Sequence, residues 1–122
     1  MAKKRVVVLG ASPKEDRYSN QAVKLLLEGG YAVVPVNPEA HSVAGLTTVK
    51  RLEDVSGPID TVTMYINGDR GVELTAALLV LRPRRVIFNP GSESSALAAV
   101  LRDSGIDVVE GCTLVMLRTG QF

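Results

Sequence analysis

Residues 5–20 read RVVVLGASPKEDRYSN, which is an apolar run, a glycine and then a polar segment. The run at residues 6–9 has no polar alternation, which is typical of a strand that helices cover on both faces. Gly10 follows where the strand must turn, and glycine turns there without a steric clash. The stretch therefore predicts the first strand and the first turn of a βαβ unit.

Similar apolar, β-branched runs recur along the chain and predict four more strands. They lie at residues 31–36, 59–66, 84–88 and 106–109. Strands and helical patterns that alternate at this spacing indicate right-handed βαβ units in an α/β fold. We expect a Rossmann-like, doubly wound parallel sheet of five strands in the order 3-2-1-4-5. Because no linker or repeat divides the sequence, residues 1–122 should form a single domain.

Helical patterns occupy most of the segments between these strands. Residues 20–28 place apolar side chains on one face and end at Gly29-Gly30, where a left-handed C-cap is expected. A second helix is predicted over residues 72–81. Between the second and third strands the period is absent, so we expect a loop, a short strand near Thr48 and one helical turn at residues 52–55.

An apolar stripe predicts the buried face of the next helix. Its members are Ala96, Leu97, Val100 and Leu101. Ser92-Glu93 should open this helix, with the carboxylate in the first turn, and Gly105 should close it. A last packed helix is expected over residues 112–117.

Composition and charge exclude several classes of protein. Fourteen Lys plus Arg against thirteen Asp plus Glu leave a net charge of +1, with three Tyr, two Phe and no Trp, so nucleic-acid binding is disfavoured. No apolar stretch is long enough to span a membrane. The opening MAKKRVVVLG is too short in its apolar part for a signal peptide, and the lone Cys112 cannot form an internal disulfide. We therefore expect a cytoplasmic protein.

A doubly wound sheet binds its ligand outside the carboxyl ends of its strands. This rule selects four loops rich in Gly, Asn, Ser and Pro, residues that permit tight turns and close backbone approach. The candidate binding residues in these loops are Gly10, Ala11, Ser12, Lys14, Arg17, Tyr18, Ser19, Asn20, Val36, Asn37, Pro38, Ile66, Asn67, Asn89, Pro90 and Gly91.

The first loop leads into a helix, whose backbone N–H groups and dipole stabilise a pyrophosphate. Ser12, Ser19 and Asn20 can add side-chain donors, while Lys14, Arg17 and Tyr18 can close over a phosphate. The alternative is that Ser12-Pro13-Lys14-Glu15 is only a capping box, which stabilises a local turn and binds nothing.

Motifs for catalysis and for metals are absent from the sequence. The dinucleotide fingerprint has only its first glycine, and the second strand ends in Asn37-Pro38 where an acidic residue would hold the ribose of NAD. His41 is expected to be solvated or to contact ligand, and Cys112 to be a buried structural thiol, with a reactive thiol as the alternative. We expect no catalytic residue and no metal site.

Read together, the segments VVVLGASPKEDRYSNQAV, VVPVNPEAHSVAG, VIFNPGSES and VVEGCTLVM resemble the small stand-alone CoA-binding proteins, which are related to the CoA-binding domain of succinyl-CoA synthetase α subunits. The resemblance covers nearly the whole chain. It implies a Rossmann-like fold that holds CoA with the pyrophosphate near Gly10, Ala11 and Ser12. The adenosine would lie against Val36, Asn37 and Pro38, and the pantetheine arm would follow Ile66, Asn67, Asn89, Pro90 and Gly91.

The chain also departs from that pattern. The G-x-T-G loop of the synthetase domain is here Gly10-Ala11-Ser12-Pro13, without the final glycine, and His41 does not match the phosphorylated histidine. The leading hypothesis is therefore non-catalytic binding of CoA or an acyl-CoA, with Lys14 and Arg17 contacting the ribose 3′-phosphate.

Two alternatives remain open. The chain could be a subunit whose chemistry comes from Cys112 or a larger enzyme partner. It could instead be a regulatory, partner-binding module with NAD(P) or ATP as ligand, or with a vestigial cleft. The sequence leaves homodimerisation undetermined.

Overall fold

The computed structural model describes residues 3–122 and is built around a parallel sheet. The strands are β1 (Arg5–Leu9), β2 (Ala32–Val36), β3 (Ser42–Val43), β4 (Leu46–Thr47), β5 (Thr61–Met64), β6 (Arg85–Phe88) and β7 (Asp107–Glu110). The helices are α1 (Tyr18–Glu28), α2 (Gly68–Glu73), α3 (Thr75–Leu81), α4 (Ser95–Asp103) and α5 (Thr113–Arg118), and a 3-10 turn covers Leu52–Asp54.

The sheet contains β2, β1, β5, β6 and β7 in that order, all parallel, while β3 and β4 form a separate antiparallel pair. Outside β2, Val49 makes a parallel bridge to Val36. With Val49 counted as the third position, the sheet has the predicted order 3-2-1-4-5. The apolar run at 59–66, which was predicted as the third strand and so expected at the edge beside the second, instead lies beside β1 in the fourth position, and β7 is added at the far edge. The Rossmann-like, doubly wound fold is confirmed.

Burial on both faces explains the unbroken apolar run of β1. Alternate residues of a strand face opposite sides. Val7 packs on one side with Leu78 of α3, and Val8 packs on the other with Leu26 of α1. All four side chains are fully buried. The sheet is therefore sandwiched between two helical layers, which leaves the ends of its strands for the loops.

The first two helices differ in detail from the predicted ones. α1 begins at Tyr18, two residues before the expected start at Asn20, and its end is confirmed by Gly30, which has a left-handed φ of 86°. The predicted helix over 72–81 is two helices, α2 and α3. The Leu74 N–H bonds to the Gly71 carbonyl three residues back, which tightens and ends α2 there.

The prediction that Ser92-Glu93 opens α4 is wrong. Ser94 is the N-cap, since its Oγ accepts from the Leu97 N–H at 3.2 Å, and Glu93 instead accepts from the Gly91 N–H at 2.8 Å. The buried face is also different from the predicted stripe. Leu97, Ala98 and Leu101 are buried, whereas Ala96 and Val100 are exposed.

The remaining short elements follow the prediction. β4 and the Val49 bridge supply the short strand near Thr48, the 3-10 turn at Leu52–Asp54 supplies the expected helical turn, and α5 covers most of the expected helix at 112–117. Across residues 3–122, no helix combines the length and the apolar character needed to cross a membrane.

Candidate functional site

The loops after β1, β2 and β5 lie together at the carboxyl edge of the sheet, where two adjoining cavities share Gly10 and Tyr65. We call the first, of about 470 Å³, the Asn37 cleft; its lining includes Val36, Asn37, Pro38, Lys50, Arg51, Ile66 and Arg70. The second, of about 520 Å³, is the Ser19 cleft, lined by Gly10, Ser12, Asp16, Arg17, Tyr18, Ser19 and Tyr65. Both volumes are typical of small-molecule sites.

Gly10 lets the first and third loops approach each other. Its φ is 87°, and a Cβ at this position would lie 2.8 Å from Ile66 Cγ2 and 2.9 Å from the Tyr65 carbonyl oxygen. Its N–H donates to the Val36 carbonyl at 3.0 Å. The residue therefore has both a backbone conformation and a clearance that favour glycine.

Side chains of the first loop close that loop onto α1. Ser19 Oγ accepts from the Ser12 N–H at 3.0 Å, Ser12 Oγ accepts from the Lys14 N–H at 3.1 Å, and Asn20 Nδ2 donates to the Ser12 carbonyl at 3.0 Å. The capping-box interpretation is wrong, because the helix begins only at Tyr18 and the Glu15 carboxylate faces Lys24 at 3.6 Å.

The amino end of α1 presents unpaired backbone donors. Arg17 is the N-cap but supplies no side-chain hydrogen bond, and the first N–H with an acceptor from the helix start belongs to Gln21, which donates to the Arg17 carbonyl at 3.1 Å. The N–H groups of Tyr18, Ser19 and Asn20 precede it and have no intrahelical acceptor. They lie at the positive end of the helix dipole, which favours an anion.

The amides of the second and third loops support the backbone. Asn37 Nδ2 donates to the Ala11 carbonyl at 2.7 Å, and its Oδ1 accepts from the N–H groups of Glu39 and Ala40. Asn67 caps α2, with Oδ1 accepting from the Arg70 N–H at 2.9 Å. These contacts fix the positions of the loops. Because the amide groups are used in them, a ligand would contact mainly the loop backbones and the other cleft-lining side chains.

Asn89 is buried, with 2% of its surface exposed, and its side chain is fully engaged. Nδ2 donates to Thr63 Oγ1 at 2.7 Å and to the Met64 carbonyl at 2.9 Å, while Oδ1 accepts from the Thr113 N–H at 2.8 Å. It therefore joins β5, β6 and α5. Several predicted binding residues line neither the Asn37 nor the Ser19 cleft: Ala11, Lys14, Asn20, Asn67, Asn89, Pro90 and Gly91.

Ten residues that line the clefts were not predicted from the sequence. They are the aromatic and basic residues Tyr65, Lys50, Arg51 and Arg70, the acidic residues Asp16, Glu39 and Glu53, and the apolar residues Leu9, Leu52 and Leu74. Tyr65 falls within the predicted strand at 59–66, whereas β5 ends one residue before it. Lys50 and Arg51 follow the predicted short strand near Thr48, and the same rule that selected the other loops would have selected them. His41 is exposed, in agreement with a solvated ring. Cys112 was expected to be buried but is a half-buried free thiol, because it is the N-cap residue that precedes α5.

Tyr65 separates the two clefts, and its buried hydroxyl has no hydrogen-bond partner within residues 3–122. Burial raises the pKa of Tyr65 to about 12, and the nearby hydroxyls of Thr113 and Thr63 partly offset the increase. The tyrosine therefore remains a neutral group between the clefts across the physiological pH range.

This raised pKa predicts a loss of stability at alkaline pH. The unfolded tyrosine titrates near 10.0 and the folded one near about 12, so the folded state keeps a proton that the unfolded state loses. The free energy of unfolding should fall as pH rises through this range, and less steeply in Tyr65→Phe. Urea unfolding at several pH values measures it, with Tyr18→Phe as the exposed control. Equal slopes in wild type and Tyr65→Phe would contradict the assignment.

The geometry of the loops and clefts defines the class of protein fold. A Rossmann-like domain with an uncapped helix amino end and adjoining clefts at the carboxyl edge of its sheet is a nucleotide-binding type of fold. The family is then given by the sequence, since the model of the CoA binding domain family matches residues 4–118. The chain belongs to this family.

Two solved structures and one further protein are similar to this chain. A solved structure described as an uncharacterized protein is 40% identical, with 100% of both chains covered and a TM-score of 0.92. The cell-free ID.343 protein from Thermus thermophilus is 28% identical over 98% of this chain and 91% of its own, with a TM-score of 0.89. The uncharacterized protein YneT of Bacillus subtilis is 37% identical over 62 residues, and the match spans 46% of its length.

A dinucleotide-forming acetyl-coenzyme A synthetase from Ca. Korarchaeum cryptofilum shares the fold. It is 21% identical, with a TM-score of 0.73 over 86% of this chain and 25% of the synthetase. The likeness therefore concerns a quarter of that larger protein.

Proposed function

We propose that this chain binds CoA or an acyl-CoA at the carboxyl edge of its sheet and catalyses no reaction of its own. The observation that carries the proposal is the amino end of α1, where Tyr18 and Ser19, whose N–H groups have no intrahelical acceptors, line the Ser19 cleft. Such a group of donors stabilises phosphate oxygens. Membership of the CoA-binding family favours the pyrophosphate of CoA as the anion.

The two clefts suit a ligand with two ends. The pyrophosphate would lie in the Ser19 cleft near Gly10 and Ser12, with Arg17 and Tyr18 at its rim. The adenosine would lie in the Asn37 cleft against Val36 and Pro38. Because the clefts meet at Gly10 and Tyr65, one ligand can occupy both. The pantetheine arm would then leave past Ile66 toward the exposed Pro90 and Gly91.

The absence of a catalytic role is supported by where the reactive side chains lie. His41 and Cys112 line neither cleft. Within residues 3–122, no group of three or more His, Cys, Asp or Glu side chains could hold a metal ion.

CoA should stabilise the folded protein when added to it. At a hundred times its dissociation constant, a ligand of the folded state adds about 2.7 kcal/mol to the free energy of unfolding. Thermal unfolding with CoA, acetyl-CoA, NAD, NADP and ATP measures the effect, and we expect a shift with the CoA species alone. A shift with NAD or NADP instead would make the chain a nicotinamide-binding module, and no shift at all would favour a partner-binding module.

A substitution at Tyr18 locates the bound phosphate in the same experiment. Tyr18 is exposed in the first turn of α1, where a carboxylate stabilises the helix but repels a pyrophosphate. Tyr18→Asp should therefore unfold no earlier than wild type without ligand and lose the CoA shift. Tyr18→Phe is the matched control and should keep it.

A further inference from the structure

We propose that Lys50, Arg51 and Arg70 recognise the phosphate monoester on the ribose of CoA and make the chain selective for ligands that carry it. The inference rests on the proposed function, because it assigns the end of the same ligand that enters the Asn37 cleft. All three cations line that cleft together with Asn37 and Pro38.

Backbone pairing holds these cations beside the second loop. The Val49 N–H donates to the Pro35 carbonyl at 2.9 Å, and the Val49 carbonyl accepts from the Asn37 N–H at 3.0 Å. Lys50 and Arg51 follow directly, so their backbone is fixed next to the expected adenosine position. Arg70 is held from the other side, because its N–H is bound by the Asn67 cap of α2.

Three cations and the two carboxylates of Glu39 and Glu53 line the cleft, which leaves it with a net positive charge that favours an anion. Lys50 and Arg70 have no ion pair within residues 3–122, and Arg51 faces Glu53 at 3.4 Å with both side chains largely exposed. An exposed pair of this kind is weak and yields readily to a stronger partner. A phosphate monoester carries nearly two charges near neutral pH and accepts two parallel hydrogen bonds from a guanidinium.

The pair expected from the sequence, Lys14 and Arg17, lies elsewhere. Arg17 is the N-cap of α1 in the Ser19 cleft, where the pyrophosphate is proposed, and Lys14 lines neither cleft. The cations in the Asn37 cleft are therefore better placed for a phosphate on the ribose.

The test compares CoA with dephospho-CoA, which lacks only the monoester. Isothermal titration of both ligands should show that the double variant Lys50→Ala/Arg51→Ala loses about tenfold in affinity for CoA and less than about twofold for dephospho-CoA. The matched control Lys14→Ala/Arg17→Ala removes the same charge and should leave the ratio of the two affinities unchanged. Glu39→Gln, which removes a carboxylate from the same cleft, should tighten CoA and not dephospho-CoA.

Each outcome separates the two proposals. Wild type that binds neither ligand contradicts the proposed function and this inference with it. Wild type that binds both, with a ratio unchanged in Lys50→Ala/Arg51→Ala, overturns only the inference, as does a ratio changed by the control pair instead. All the substituted side chains are exposed, so unchanged melting temperatures without ligand confirm that each variant is folded.

Discussion

Asn89→Leu should lower the free energy of unfolding by about 3 kcal/mol, since each buried polar group left without a partner costs about 1–3 kcal/mol. The substitution removes three buried hydrogen bonds at once. The Met64 carbonyl and the Thr113 N–H would then be buried without those partners. Leucine has the same branching and the same number of side-chain heavy atoms as asparagine, so the substitution leaves no cavity and the loss reports mainly the hydrogen bonds.

Chemical denaturation measures this loss, and Asn67→Ala is its control. Asn67 also caps a helix through its amide but is exposed, so it should cost only about 1 kcal/mol. An Asn89→Leu protein as stable as Asn67→Ala would show that the buried network contributes little.

Gly10→Ala should destabilise the protein by about 2–3 kcal/mol and abolish the stabilisation by CoA. Alanine at a φ of 87° is strained, which alone costs about 1–3 kcal/mol. Its Cβ also meets Ile66 and the Tyr65 carbonyl at less than 3 Å, so the first and third loops must separate. That movement would open the junction of the two clefts, where the ligand is proposed to cross.

Gly30→Ala isolates the effect of strain from that of contact. Gly30 has nearly the same φ, 86°, but nothing lies within 4 Å of the position of a Cβ. The Gly30→Ala protein should be destabilised by the backbone strain alone and should still be stabilised by CoA. If Gly10→Ala binds CoA as wild type does, the proposed path across Gly10 is wrong.

The parallel sheet was predictable because its strands are buried on both faces and therefore read as unbroken apolar runs. The part of the candidate site that lies directly after the carboxyl ends of those strands was predictable for the same reason. Gly10 could be selected for its position alone. The start of α4 could not be predicted, because Ser92 and Ser94 are both acceptable caps. In the structure the Ser94 Oγ accepts from the Leu97 N–H, whereas the Ser92 Oγ donates to the Asn89 carbonyl.

Contacts between residues far apart in the sequence determine the roles of the loop residues that the sequence could not assign. An asparagine in a loop can meet a ligand or hold a neighbouring loop, and the choice at Asn89 depends on Thr63 and Thr113, which are distant in sequence. In the same way, Lys50 and Arg51 reach the cleft only because Val49 pairs with Val36. Local patterns carry no information on either contact.

The amides that hold the loops together also bear on the thermodynamics of ligand association. Asn20, Asn37 and Asn67 fix the backbone around the clefts before any ligand arrives. Binding then orders few additional residues, so little conformational entropy opposes it. A rigid site of this kind admits ligand without a preceding rearrangement, and differences in affinity among its ligands should lie mainly in how fast they leave.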